Sequence, residues 1–339
     1  MNLTNRLDMQ VIEDIKIYHW GEIKDEFRGA DIFLGNGFSI GINGSLNYRS
    51  LFTKFLTYFE PSAQANFKKF NSTNFEGIQS KLTEASEINS IFGISCSEIE
   101  MALHRLKYGL LNAIRDLHPN FSAIDPQIIY NRSRKLDWFG DIYTTNYDTF
   151  LYHILLATLD RHKYDKSVKR YQDFFRKDGP DLLFAERPIN SFKNVFYLHG
   201  ALFLYNNLEK IIKIKRASKI DELIDLIRLK INDAGPPVFV SEGKSDLKEE
   251  TIARNRYLSF CRSAFRASKT HLVIHGFSFS NSDNHLIQDL NGCRRALAVG
   301  LYLPALNVGQ IVQKCRFIAH RLHEYPLNQI CFFDSNTLF

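Results

Sequence analysis

Ala30-Asp31-Ile32-Phe33-Leu34-Gly35-Asn36-Gly37-Phe38-Ser39 decides the fold. Its apolar half reads as a short buried strand, which runs straight into a tight glycine turn. Residues 49–59 follow with helical character. Strand, glycine turn and helix open a nucleotide-binding α/β unit, because glycines let backbone N–H groups approach a pyrophosphate closely. The dehydrogenase fingerprint wants a third glycine three positions on, where Ile40 stands, with Gly41 one residue late. No acidic residue falls at the usual ribose-binding distance. A tight βα turn without any ligand fits the same residues equally well.

Outward from this stretch, residues 50–135 read as a helical block, an inserted layer or lid. Its clearest helix starts at Ser97, with Glu100 three residues on as a capping box, and Ile99, Leu103, Leu106, Leu110, Ile114 and Leu117 follow at helical spacing before Pro119. A second strand, around 140–143, ends in Thr144-Thr145-Asn146-Tyr147-Asp148. A helix over 150–159 comes next, then a polar, aromatic stretch to about 190. The run 195–198 is a strand ending in His199-Gly200. Residues 201–205 and 211–215 flank Asn206-Asn207 as a hairpin, and 212–215 alternate as a half-buried strand does. Ile220, Leu223, Ile224, Ile227 and Ile231 mark an amphipathic helix, broken by Gly235-Pro236-Pro237. Further strands lie at 271–275, 297–303 and 330–333. Strands alternating with helices predict a Rossmann-like, doubly wound α/β fold with a mostly parallel sheet and an inserted helical region, in one domain over 1–339.

Several groups could carry chemistry. The carboxyl ends of strands in an open α/β sheet are where ligands bind. Asn146 can donate and accept there, and Asp148 accepts only. Together they suit a ribose, an amide-bearing ring or a positioned water, although Asn and Asp also suit an Asx turn capping the next helix. His199 stands at another strand end, where it could take a proton near neutral pH. His153 and His104, among 11 histidines, read as structural. Ser278, Ser280, Asp283 and His285 form a polar cluster able to hold phosphate or ribose, or to cap a helix. Gly276-Phe277-Ser278-Phe279-Ser280 also comes near the nucleophile elbow of serine hydrolases, with Ser280 in place of the final glycine.

Composition narrows the classes. At 339 residues, 45% apolar and 24% charged, the chain can bury a large core. A formal charge of +6 suits a small anionic ligand, and DNA binding is not inferred from it. Cys96, Cys261, Cys293, Cys315 and Cys331 include no Cys-x-x-Cys pair, so no zinc site is expected and the thiols read as reduced. No apolar segment is long enough to span a bilayer, and residues 1–6 lack the character of a signal peptide.

Four motifs in order, Gly35-Asn36-Gly37-Phe38-Ser39, Thr144-Thr145-Asn146-Tyr147-Asp148, Leu198-His199-Gly200 and Gly276-Phe277-Ser278, resemble the sirtuin series. The forms Thr-Thr-Asn-Tyr-Asp and Leu-His-Gly are closest to the bacterial sirtuin-like proteins of antiphage defence, a cytoplasmic group in which the fold usually hydrolyses NAD. The deacylase zinc module is replaced here by the hairpin and helix of 201–236, and Asn36 and Thr145 depart from the sirtuin pattern near the nicotinamide pocket. The resemblance implies an NAD glycohydrolase that releases nicotinamide and ADP-ribose. It implies catalytic roles for Asn146, His199 and Asp148. It implies NAD contacts from Gly35, Asn36, Gly37, Phe38, Ser39, Thr145, Gly276, Ser278 and Asp283. NAD is then a consumed substrate rather than a cofactor. An activating partner encoded nearby, or self-association, is also implied, with 50–135 and 208–231 as candidate contact segments. The competing readings are a nucleotide-binding subunit without catalysis and a serine hydrolase.

Overall fold

The computed structural model describes residues 15–46, 53–61, 64, 75–178, 181–207, 210–215, 223–234, 237–240, 245–304 and 306–339. Its strands are β1 (Ile17–Tyr18), β2 (Asp31–Leu34), β3 (Ile142–Thr144), β4 (Tyr171–Gln172), β5 (Phe175–Asp178), β6 (Asp181–Phe184), β7 (Lys193–Tyr197), β8 (Leu204–Asn207), β9 (Lys210–Lys213), β10 (Leu272–His275), β11 (Leu297–Leu301) and β12 (Ile330–Asp334). Eight of them form one all-parallel sheet in the order β1-β12-β11-β10-β2-β3-β7-β4. From β2 the chain winds outward through β3 to β7, then returns to the other side of β2 and winds outward through β10, β11 and β12. That is the strand order of a doubly wound Rossmann-like sheet, and the direction reverses between β2 and β10.

Burial on both faces explains the composition of the central strands. Ile32, Phe33, Leu34, Val273 and Ile274 are buried, each contributing roughly 1.5–3 kcal/mol. Asp31 is buried at the start of the same strand. Its carboxylate accepts from the Asp141 amide at 3.0 Å and from Ser268 Oγ at 2.7 Å, tying the amino end of β2 to the start of β3. Burial still raises its pKa, against the lowering by those two bonds.

The helices that cover the sheet begin where short polar side chains cap them. Asp125 accepts from the Gln127 amide at 2.8 Å, with Pro126 opening the helix Pro126–Leu136. Asn255 accepts from Tyr257 and Leu258 to start Arg256–Ala267. Asn307 and Gln310 form a reciprocal capping box for Val308–Arg321.

The expected helical block contains the helices Phe75–Ile91 and Ser97–Leu117, which pack on each other, and Pro126–Leu136, which packs on Phe150–Tyr164. Ser97 is the first helical residue rather than the cap, and its amide lies 3.4 Å from Ser95 Oγ.

The stretch to 190 is not a plain loop: it carries β4, β5 and β6. The last two join β8 and β9 in an antiparallel sheet ordered β5-β6-β9-β8. Asn206 and Asn207 sit inside β8, opposite Ile211 and Lys210, so the expected hairpin is present but its turn is not at these asparagines. Ile211 and Ile212 are both buried, so strict alternation fails in β9, which is covered on both faces. The helix after it is Leu223–Ala234. Residues 1–6, the start of the helix expected at 49–59, Ile220 and the first two residues of the break expected at 235–237 lie outside the described residues.

Candidate functional site

A cavity of about 520 Å³ opens at the carboxyl ends of β2 and β10, at the reversal of strand order. Such a volume is typical of a small-molecule site. Asn36, Gly37, Thr145, Asn146, Asp148, His199, Gly276, Ser278 and Asp283 all line it. Gly35, Phe38 and Ser39 do not line it and lie behind its wall.

The glycines of the first and last motifs serve each other. A Cβ on Gly35 would stand 2.5 Å from the Gly276 carbonyl oxygen, and one on Gly37 would stand 2.7 Å from Gly276 Cα. Gly276 has φ +71°, and its own Cβ would lie 2.6 Å from the Phe38 nitrogen. The Gly37 amide donates to the Gly276 carbonyl at 2.9 Å. The two turns at the switch point therefore interlock, and this packing alone accounts for three glycines. The Gly37 N–H, expected to face a phosphate, is already used by the protein.

Behind this wall runs a buried chain of side chains. Asn146 Nδ2 donates to the Gly35 carbonyl and to Ser39 Oγ, both at 3.0 Å. Because a carbonyl can only accept, this fixes which end of the amide is nitrogen. Ser39 Oγ in turn donates to Asp148 Oδ2 at 2.5 Å. Asp148 Oδ1 accepts from the Phe150 amide at 2.9 Å, the Asx turn that the sequence left open. With Nδ2 spent, Asn146 offers Oδ1 to a ligand. Each oxygen of Asp148 holds one protein donor, so this cavity-lining residue positions Ser39 and the helix start.

His199 is clamped from the far side. Residues 238–240 run over it: Ala201 N donates to Val238 O at 3.0 Å, and Val240 N donates to His199 O at 2.8 Å. Gly200, at φ +74°, lets that segment pass, since any Cβ there would collide with the Val238 carbonyl. His199 Nε2 lies 3.1 Å from His285 Nε2, and His285 Nδ1 lies 3.0 Å from Ser245 Oγ. Burial first, then Lys248 and Arg262, push His199 well below the ordinary histidine value. Burial, then His199, lowers His285 to about 2. Both rings are neutral at pH 7, and Nδ1 of His199 is the nitrogen left for the cavity.

Other members of the cluster expected at 278–285 have different duties. Asp283 pairs with the buried Lys248 at 2.9 Å. Ser280 Oγ meets Ser282 and Asp283. Ser278 is exposed and has no hydrogen bond to a histidine among the described residues, and the positive φ beyond Gly276 belongs to Phe279. A nucleophile elbow would place such strain on the serine and a histidine beside it.

Sequence reading missed Arg132, Lys248, Ser245 and His275. Arg132 and His275 line the cavity from a covering helix and from the end of β10. Neither belongs to a motif, so only the folded arrangement brings them to the site. Among the described residues, no group of three or more His, Cys, Asp or Glu could hold a metal ion, and no helix is long and apolar enough to cross a membrane.

A Rossmann-like α/β protein with a cavity at its switch point, into which polar and charged side chains reach, is the class that fold and site define. The chain belongs to the family described as a domain of unknown function (DUF4917), whose match covers residues 32–338. No curated protein matches it.

Proposed function

We propose that this cavity hydrolyses NAD to nicotinamide and ADP-ribose. The observation that carries the reading is the convergence of an anchored Asn146, with Oδ1 free, and a neutral His199 on one switch-point cavity. Departure of nicotinamide develops positive charge on the ribose, as in glycoside hydrolysis. Asn146 Oδ1 accepts from a ribose hydroxyl or from the attacking water and so sets its position. Water forms the new C–O bond at the anomeric carbon as the bond to nicotinamide breaks. His199 takes the water's proton, which then leaves to solvent. NAD is consumed, and depletion of NAD in an infected bacterial cell is the biological consequence of this reading.

Activation by a partner protein or by self-association belongs to the same proposal. Ile91 and Phe92, at 79% and 74% exposure on the tip of the helical block, are surface that a second chain would bury.

The deep burial of His199 favours a second reading, a cavity that binds a nucleotide without cleaving it, since a base so depressed is weak. Incubating the chain with NAD, alone and with the product of the neighbouring gene, and following nicotinamide release decides between them. Release should fall at least ~100-fold in Asn146→Ala and His199→Ala. Undiminished release from both variants refutes the site, and binding without release in any assembly state selects the second reading.

A further inference from the structure

Arg132 is a buried cation without a counter-ion. It projects from Pro126–Leu136 with 7% of its surface exposed, and among the described residues it has neither a hydrogen bond nor an ion pair. Its guanidinium lies 4.8 Å from the centre of the Phe38 ring and 5.1 Å from that of Phe339. Nη1 is fully buried with no partner. Gly41 keeps the space beside it open, since a Cβ there would stand 3.0 Å from Nη2. The next orphan is adjacent in kind and place: His275 Nδ1 is buried and unpartnered, and its ring packs at 5.0 Å against the same Phe339 and at 6.2 Å against Phe38.

The carboxylates of the cavity do not answer this charge. Asp148 accepts from Ser39 and the Phe150 amide and Asp283 pairs with Lys248, and neither forms an ion pair with Arg132. Lys314 adds a further cation to the lining. An unpaired buried charge is costly, and a planar guanidinium is the group that grips phosphate oxygens in pairs. His275 Nδ1 can accept from a phosphate P–OH or donate to a phosphate oxygen, according to its tautomer.

We propose that Arg132 and His275 form a phosphate subsite at the end of the cavity beside Gly41, and that the ligand of this protein carries a phosphate group lodged there. The assignment concerns binding, and it stands whether or not a glycosidic bond is cleaved at Asn146. The phosphate belongs either to a nucleotide or to a free anion, and titration separates the two.

The test uses the full chain, with inorganic phosphate, AMP and uncharged adenosine as probes, in calorimetry and thermal unfolding. Wild type should bind AMP or phosphate. Arg132→Met should weaken that binding at least tenfold while raising the unfolding temperature of the unliganded protein, because it removes an unpaired buried charge. Arg132→Lys should bind with intermediate strength. AMP binding much tighter than phosphate assigns the subsite to a nucleotide, and equal binding assigns it to a free anion. Asn146→Ala should leave phosphate binding intact, which separates this result from the fate of the hydrolase reading. Absence of phosphate-dependent binding in wild type, or unchanged affinity in Arg132→Met with a lowered unfolding temperature, overturns the proposal and makes Arg132 a packing residue.

Discussion

Acid should unfold this protein through its buried histidines well before its carboxylates protonate. His275 is lowered to about 3, by burial first and then by Arg132. His285 is lowered to about 2. In the unfolded chain both take up protons near pH 6.5. A folded value below the unfolded one means that the neutral form is favoured by folding. The stabilisation is therefore complete above about pH 6.5 and is lost as pH falls below it. At pH 5 the unfolded chain is about 1.5 units below its histidine pKa, which costs roughly 2 kcal/mol per histidine. The two together remove about 4 kcal/mol between pH 7 and pH 5, against a total stability of about 5–15 kcal/mol. His199 acts in the same direction. Urea unfolding at pH 7, 6 and 5 measures the loss. His275→Gln should shrink the pH 7-to-5 difference by about 2 kcal/mol, whatever it does to stability at pH 7. An unchanged difference in that variant refutes the buried neutral ring.

Two further substitutions probe the wall of the cavity. Ser39→Ala leaves Asp148 Oδ2 and one Asn146 proton without their partner; urea unfolding should show a loss of about 1–3 kcal/mol. If NAD is the substrate, the same variant should lower kcat for nicotinamide release with little change in KM. Gly276→Ala and Gly29→Ala both force an alanine to positive φ, but only Gly276 is crowded by Phe38 and Gly37. Gly29→Ala should cost about 1–2 kcal/mol and Gly276→Ala clearly more; equal losses in denaturant titrations would show that the turns do not interlock.

The sheet was legible because its strands are short apolar runs punctuated by glycine or small polar residues. Asp31-Ile32-Phe33-Leu34 before Gly35, and Leu272-Val273-Ile274-His275 before Gly276, announce both their ends and their burial. β4, β5 and β6 were not legible. Their residues mix Arg, Lys, Asp and aromatics, and their partners β8 and β9 lie further along the chain, so pairing rather than local pattern makes them strands. The same distinction holds at the site. Asn146 and His199 sit at strand ends that a pattern can find. Arg132 is one basic residue on a helix with other basic residues, and only burial against Phe38 and Phe339 separates it from them. The glycine loop was found for a reason the structure changes: Gly35 and Gly37 are required by Gly276 before any ligand enters.

The charge distribution of the cavity links these observations. Asp283 is paired with Lys248, and Asp148 is hydrogen-bonded by Ser39 and the Phe150 amide. The cavity's cations are not matched in number. Burial first, then Arg132, lowers His275; burial first, then Lys248 and Arg262, lowers His199; burial and then His199 lower His285, with Lys248 and Arg262 adding to it. Burial keeps the three histidines neutral and the cations add to that effect, while Arg132 has no ion-pair partner among the described residues. A neutral or cationic ligand would relieve neither. An anionic ligand relieves both, because it pairs Arg132 and removes part of the field that holds the histidine values down. NAD, with its pyrophosphate, meets this condition, but so does any phosphorylated nucleotide. The unpaired Arg132 thus favours an anionic ligand, and under the proposed hydrolysis the anchored amide of Asn146 would select the bond.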